Sequence, residues 1–505
     1  MEPTGHVVVV GAGVAGTGVV VQLVAALAAR RDRTADRAVN AVTVVDPHPP
    51  GWGLAFGDPD PLLLCNSAAD ANSLLAGDPL DFVRHLRGLG RPVGPLDCVP
   101  RSWLAAYCRD HYDRARETAA RHGVTVTHVP AGVRTVTTAP GDGTRRRVLL
   151  DDGRELTADA VVVCTGVREP KVPDGFAGLT GHPRYLDAPY PAARLRERLR
   201  PGSRVLVLGT RQSAVDAALL LCREGHRPTL TSRSGVLPAV RGSLCAPPRP
   251  FPPLDRLARL DPEDPLLAER VLRCVVEAVR LTGPLPLRRQ SSRAAGPVER
   301  LREETALVEA GACTWQQVVA AGMEAVIELG ARLPADRCRA LMDRFDWAVS
   351  RYVTAMTVVN ARRLLDHLDA GVLRLAPHYP AAVTADPDGW QIHWPGAAAP
   401  EPYDHVVAAA GFHLPLLHRS ADGTALHVTG APPGSAPVDR LEADLRVRPA
   451  AGGPPDPVWV VGVGTHVRIP FANHLRNVVR QARDVAVDVT EAMAGSVAVE
   501  GAGRS

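Results

Sequence analysis

The stretch Val7–Gly16, "VVVVGAGVAG", constrains the fold of this chain more than any other. Four consecutive valines predict a strand buried on both faces of a parallel sheet, because a half-exposed strand would alternate apolar with polar residues. Gly11, Gly13 and Gly16 then stand in G-x-G-x-x-G spacing ahead of a helical segment that runs to about Arg31. In that pattern the first glycine permits a tight turn and the second lets the backbone approach a pyrophosphate. The third lets the helix lie close to the strand, with its N-terminus facing the phosphate charge. A second strand, "AVTVVD", ends in Asp46, an acid placed to accept hydrogen bonds from ribose hydroxyls. The whole is a βαβ dinucleotide-binding unit.

The same segment, Val7–Arg31, is apolar and long enough to imitate a membrane span. Glu2 precedes it without any Lys or Arg, and Gly11, Gly13, Gly16, Gly18 and Gln22 interrupt it, so no membrane segment is expected. The formal charge of +4 is small, with 58 basic side chains spread among 54 acidic ones, which disfavours a nucleic-acid partner. Of those basic residues only Lys171 is lysine, so a G-K-[ST] phosphate loop is excluded. The nine cysteines form no C-x-x-C pair, so no metal site is expected, and an odd count without a secretory leader points to the reducing cytoplasm. Cys164 and Cys222 lie in apolar runs and read as packing residues.

Further along, "ADAVVVCTG" predicts another buried strand stopped at Gly166, and a Pro-rich linker leads to "VLVLGTRQSAVDAALLL". That second strand-turn-helix carries Gly209, but Arg211 occupies the place of the second glycine. An arginine there either displaces a cofactor or pairs its guanidinium with the pyrophosphate, unless the site is dead. The following strand ends in Ser232, Arg233 and Ser234, where an acid would repel a 2′-phosphate and Arg233 would pair with it, which favours NADPH over NADH.

The order of these motifs resembles that of two-dinucleotide flavoproteins, which implies FAD at the first fingerprint and a nicotinamide cofactor at the second. Segment 51–86 is similar to a bacterial FAD/NAD(P)-binding family with G-x-G-x-A-[FY]-G, L-L-N-x-x-A and D-P-x-x-F-x-x-[WH]-L motifs. They fall here on Gly51, Gly53, Ala55, Phe56 and Gly57, then Leu63, Leu64 and Asn66 around an inserted Cys65, then Asp78, Pro79, Phe82 and Leu86. "VPRSWLAAYCRD" resembles a further family motif, and the likeness implies that Trp52, Asn66 and Arg101 lie near the flavin. Phe176, Gly178 and His182 match F-x-G-x-x-x-H of NADPH-using flavin monooxygenases, which implies a domain-coupling role for His182. Gly209, Gln212, Ser213 and Ala214 match the G-G-G-Q-S-A segment of amino-acid N-hydroxylases. Toward the C-terminus Gly462 and Val463 stand where the family carries Gly-Asp, and a helix starting near Asn473 should aim its N-terminus at the flavin.

The expected fold is therefore α/β with two Rossmann-like domains, the FAD domain discontinuous and a largely helical insertion between. Residues 1–190 are assigned to the first part of the FAD domain and 195–375 to the NADPH domain, with the insertion at about 250–365. Residues 376–493 complete the FAD domain, and 494–505 form a frayed tail. The resemblance implies an NADPH-consuming monooxygenase using O2 on a small molecule, first of all an amine or amino acid of specialised metabolism. The alternatives are a non-oxygenating FAD oxidoreductase and a non-catalytic nucleotide sensor. Nothing in the sequence sets the oligomeric state.

Overall fold

The alternation of His6–Val10 divides the first domain into two cores. Val7 and Val9 pack against helices, while Val8 and Val10 face an antiparallel sheet on the other side. This is seen in a computed structural model, which describes residues 5–31, 39–54, 56–139, 144–245, 247, 249–448 and 456–502. The strand is central in a five-stranded parallel sheet, flanked by Ala41–Val45 and Thr125–Val129 on one side and by Ala160–Val163 and Val458–Val460 on the other. Val458–Val460 arrives after nearly three hundred intervening residues, so the domain is discontinuous, as expected. Helices Val14–Arg31, Arg101–Arg121 and Leu475–Ala502 cover one face. The first and last of these meet at Gly18, where a Cβ would lie 3.7 Å from that of Ala482, in ordinary van der Waals contact.

The second unit repeats the plan. Its parallel sheet runs Arg374–Leu375, Arg227–Thr231, Arg204–Leu208, His405–Ala408, Tyr185–Leu186. Val205 and Val207 pack on the helices Gln212–Arg223 and Val358–Asp369, whereas Leu206 and Leu208 pack on Trp390, Ile392 and Tyr403 of a small antiparallel sheet. Two domain boundaries consequently move. The strand His405–Ala408 pairs with Arg204–Leu208 in the register His405↔Val205, and Tyr185–Leu186 pairs beyond it. The second unit therefore begins near residue 185 rather than 195, and the chain returns to the first domain near His418, not at 376. A strand buried on both faces looks the same whichever parallel sheet receives it, which is why the sequence did not separate them.

Between Arg227–Thr231 and Arg374–Leu375 lies the helical insertion, including Leu267–Arg280, Pro297–Glu309, Gln316–Arg332 and Ala335–Arg344, with a core of its own around Leu257, Val271, Cys274, Val318 and Leu329. The C-terminal helix continues to Ala502, past Met493, so most of the expected frayed tail is helical; residues 503–505 lie outside the described residues. Ala55, Glu2 and most of the polar insertion before Ala41 also lie outside them. Cys164 and Cys222 are buried, and among the described residues no helix is long and apolar enough to cross a membrane.

Candidate functional site

Two glycines of the first fingerprint are fixed by packing and the third is not. Gly11 has φ +103°, and a Cβ on it would sit 2.8 Å from the Cys164 carbonyl oxygen; one on Gly16 would sit 1.8 Å from that of Gly11. At Gly13 a Cβ would meet only the Trp52 carbonyl oxygen, at 3.4 Å, so this backbone is bare toward the space in front of the helix. Asp46 holds the loop: its carboxylate accepts from the Ala12 N–H and the His48 N–H, each at 2.8 Å. Beside it the Trp52 ring lies against His48, with centroids 3.7 Å apart. Gly57 makes room for that ring, because a Cβ there would lie 2.2 Å from Trp52 Nε1.

The far wall comes from the C-terminal segment. Gly462 has φ +82°, a Cβ on it would be 3.0 Å from that of Ala15, and its N–H donates to Gln481 Oε1 at 2.9 Å. His474, Asn477 and Gln481 are spaced by three and four residues, so they share one face at the start of the C-terminal helix. All three are buried, and His474 Nδ1 and Nε2, Asn477 Nδ2 and Gln481 Nε2 have no partner. Asn473, expected at this place, is exposed. Burial, reinforced by the charges of Arg476, Arg480 and Arg241, pushes the His474 imidazole down to about 4, so it is neutral at neutral pH. Val14, Phe56, Cys65, Leu475 and Val479 pack together and bring the fingerprint helix, the Asn66 loop and this helix start to one place. Asn66 Oδ1 is likewise buried without a partner.

Each such atom costs about 1–3 kcal/mol if it stays unpaired. A row of them beside a bare glycine backbone and a helix N-terminus fits a buried ligand rich in hydrogen-bonding groups. A flavin dinucleotide is such a ligand, so the residues present fit FAD.

The second fingerprint is also built. Gly209 has φ +147°, donates to the Thr231 carbonyl at 2.7 Å and could not carry a Cβ, which would lie 2.4 Å from the Ala409 carbonyl oxygen. Arg211 caps the helix Gln212–Arg223 with its backbone carbonyl, which accepts from Ala214 and Val215. Its guanidinium is exposed and makes no hydrogen bond or ion pair among the described residues. Gln212 Nε2 donates to the Thr354 carbonyl at 2.9 Å, and Ser213 is half-buried in the first turn. Arg233 is paired with Asp174 of the linker, both side chains exposed. His182 is occupied on both ring nitrogens: Nδ1 accepts from the Arg184 N–H at 3.2 Å, which leaves Nε2 to donate to the Asp386 carbonyl at 3.0 Å. Its ring also rests edge-on against Trp390, tying the linker to the small sheet of the second unit. Gly166 is exposed beyond its strand with open space where a Cβ would go.

Arg101, expected beside the flavin, is held by three protein groups. Its Nη2 lies 2.8 Å from Asp216 Oδ2, Nη1 donates to the Tyr190 hydroxyl at 3.3 Å, and Nε donates to the Leu64 carbonyl at 2.9 Å. Tyr190 in turn donates to Asp216. Burial works against the Arg101 charge, but Asp216 and Tyr190 outweigh it and raise its pKa. The cluster is an ionic clamp between the domains. Asp216 stands on the second fingerprint helix itself, in "QSAVD", and was legible as a residue but not as a partner. Arg241, which sequence reasoning passed over, lies where the Asn66 loop, the second unit and the insertion meet. Among the described residues no group of three His, Cys, Asp or Glu side chains is arranged to hold a metal.

Residues 8–168 match a family model described as FAD-NAD(P)-binding, so this segment is an FAD/NAD(P)-binding domain. One curated relative is the indole-3-pyruvate monooxygenase YUCCA1 of Oryza sativa subsp. japonica, 36% identical over 96 residues, which are 18% of this chain and 22% of that protein. The chain thus matches about a fifth of that relative's length. Among solved structures, ornithine hydroxylase PvdA from Pseudomonas aeruginosa superposes with a TM-score of 0.54 at 14% identity, over 96% of this chain and 98% of that one. The Kutzneria sp. 744 ornithine N-hydroxylase KtzI gives a TM-score of 0.50 at 14% identity, over 97% and 99%. At that identity the likeness establishes the fold alone, along nearly the whole chain.

Proposed function

We propose that this chain is an FAD-dependent, NADPH-consuming monooxygenase that oxygenates a small amine or amino acid. The observation that carries the reading is the buried row of unpartnered His474, Asn477 and Gln481 atoms on a helix start that packs with Val14 of the first fingerprint helix, in a molecule whose second glycine turn is clamped to the first domain through Asp216. Its whole-chain likeness in fold to two ornithine hydroxylases supports the choice of reaction.

FAD bound here would supply the redox chemistry, taking hydride from NADPH and delivering an oxygen atom from O2 to the substrate. The protein's task is binding, orientation and exclusion of water. Gly13 and the N-terminus of Val14–Arg31 receive the pyrophosphate, and Asp46, already fixed by two backbone donors, keeps free lone pairs for ribose hydroxyls. Gln481 takes over where Val463 replaces an acid, since its oxygen is held by Gly462 and its amide nitrogen is left to donate. His474 stays neutral and offers one donor and one acceptor without adding charge. On the other side Arg211, Gln212 and Ser213 meet the NADPH pyrophosphate, and Arg233 exchanges Asp174 for the 2′-phosphate. Cysteines that are all free thiols agree with a reducing, cytoplasmic setting.

The test is direct. The purified protein should carry a flavin absorbance spectrum, and NADPH oxidation should rise with an amine substrate and yield one hydroxylated product per NADPH. NADPH turnover that requires an acceptor other than O2 would refute the oxygenation, and a protein that cannot be reconstituted with FAD would refute the enzyme.

A further inference from the structure

Four arginines are buried among the described residues: Arg101, Arg146, Arg184 and Arg241. Three have a carboxylate within reach, Arg101 with Asp216 at 2.8 Å, Arg146 with Asp456 at 3.0 Å and Arg184 with Asp388 at 3.2 Å. Arg241 is the most deeply buried of them, at 0% exposure, and has none. Its Nη1 donates to the Val353 carbonyl at 2.8 Å and the Tyr352 carbonyl at 3.4 Å, its Nη2 to the Asn66 carbonyl at 3.0 Å, and its Nε to nothing. The ionisable groups of opposite sign beside it are the thiols of Cys98 and Cys245, both of which burial keeps protonated. A buried cation without a counter-ion is costly, and three carbonyl dipoles compensate it only in part.

Its place in the molecule narrows what would neutralise it. Arg241 shares its surroundings with Asn66 and His474, whose own buried polar atoms lack partners. The two pyrophosphate positions are at other elements, the N-termini of Val14–Arg31 and Gln212–Arg223. A planar guanidinium suits a planar carboxylate, with two N–H groups for two oxygens.

We propose that Arg241 receives the carboxylate of the substrate, so that the molecule oxygenated is an amino acid and not a simple alkylamine. The inference rests on the monooxygenase reading and sharpens it. Asn66 fixes the guanidinium through its main-chain carbonyl and leaves its unpartnered Oδ1 to accept from the ammonium group of the same ligand, and the Tyr352 and Val353 carbonyls hold the guanidinium from the insertion side.

The experiment uses the FAD-loaded full-length protein and pairs of probes that differ only by a carboxylate: ornithine and putrescine, lysine and cadaverine, alanine and ethylamine, phenylalanine and phenethylamine. Binding is read from the perturbation of flavin absorbance, and turnover from probe-stimulated O2 consumption. At least one amino acid should bind about 10- to 100-fold tighter than its decarboxylated partner, the range of a charge-assisted hydrogen-bonded pair. R241Q should bring that ratio to within about threefold, and R241K should keep part of it. A wild-type protein with no carboxylate preference in any pair overturns the proposal, as does an R241Q variant that keeps the ratio. Loss of FAD or NADPH binding in R241Q with the ratio intact also overturns it, placing the anion on a cofactor. Should R241Q fail to fold, the wild-type ratios and R241K decide. Failure of the underlying monooxygenase reading looks different: a carboxylate preference in binding with no hydroxylated product from any probe.

Discussion

Replacing Arg101 by methionine should destabilise the protein far more than removing the whole clamp. The guanidinium and the Asp216 carboxylate are 10% and 0% exposed and 2.8 Å apart, so R101M leaves a carboxylate stranded in the interior with only the Tyr190 hydroxyl to meet it. Breaking one side of a buried pair costs about 3–5 kcal/mol, whereas replacing both sides with apolar groups of similar volume is often near neutral. The expected order is therefore R101M worst, D216L intermediate and R101M/D216L close to wild type, with a coupling energy above about 1 kcal/mol. Urea denaturation of the four proteins, followed by the first transition in tryptophan fluorescence, gives the cycle; a single global free energy is not assumed, since two domains need not unfold together. A second readout separates stability from positioning. Because Asp216 lies on the helix of the second fingerprint and Arg101 belongs to the first domain, the double variant should fold yet reduce its flavin with NADPH more slowly. Additive effects within about 0.5 kcal/mol, or an R101M loss below about 1 kcal/mol, would refute the clamp.

At the first fingerprint, G11A should lose FAD and soluble expression together, because its Cβ would collide with Cys164 at a left-handed φ, whereas G13A should keep its thermal midpoint and lose FAD affinity alone; circular dichroism against flavin content distinguishes them. Asp174 competes with the cofactor for Arg233, so R233A should weaken NADPH about tenfold more than NADH, while D174A should strengthen NADPH a few-fold; equal effects on both nucleotides in titrations would contradict the assignment. His405 is buried with both ring nitrogens unpartnered, and burial, with Arg184 next, pushes its pKa down to about 4. The unfolded state then binds the extra proton between about pH 6.5 and 4, so stability should fall as pH drops through that window, and H405L should lose that part of the slope; denaturation midpoints across the range measure it.

How much of this was open to the sequence depends on the range of the interaction involved. Gly11, Gly16 and Asp46 act within one βαβ unit, so spacing alone located them, and the structure adds only which glycine faces the ligand space. The strand His405–Ala408 was recognisable as a buried strand, but its sheet depends on pairing with Val205–Leu208, two hundred residues away, and no local pattern encodes that. Charge is the extreme case. With 58 basic residues, all but Lys171 arginine, any one looks like solvated surface, and Arg233 drew notice only because its place after a strand is diagnostic. Arg241, in "AVRGSL", has no such place. Burial and counter-ions are global properties, fixed only when the Asn66 loop, the second sheet and the insertion close around one side chain. The chemistry that distinguishes Arg101 from Arg241 is therefore invisible in either residue's neighbourhood: both are buried and both donate to carbonyls, but Asp216 folds onto the first and, among the described residues, no carboxylate lies within ion-pair distance of the second.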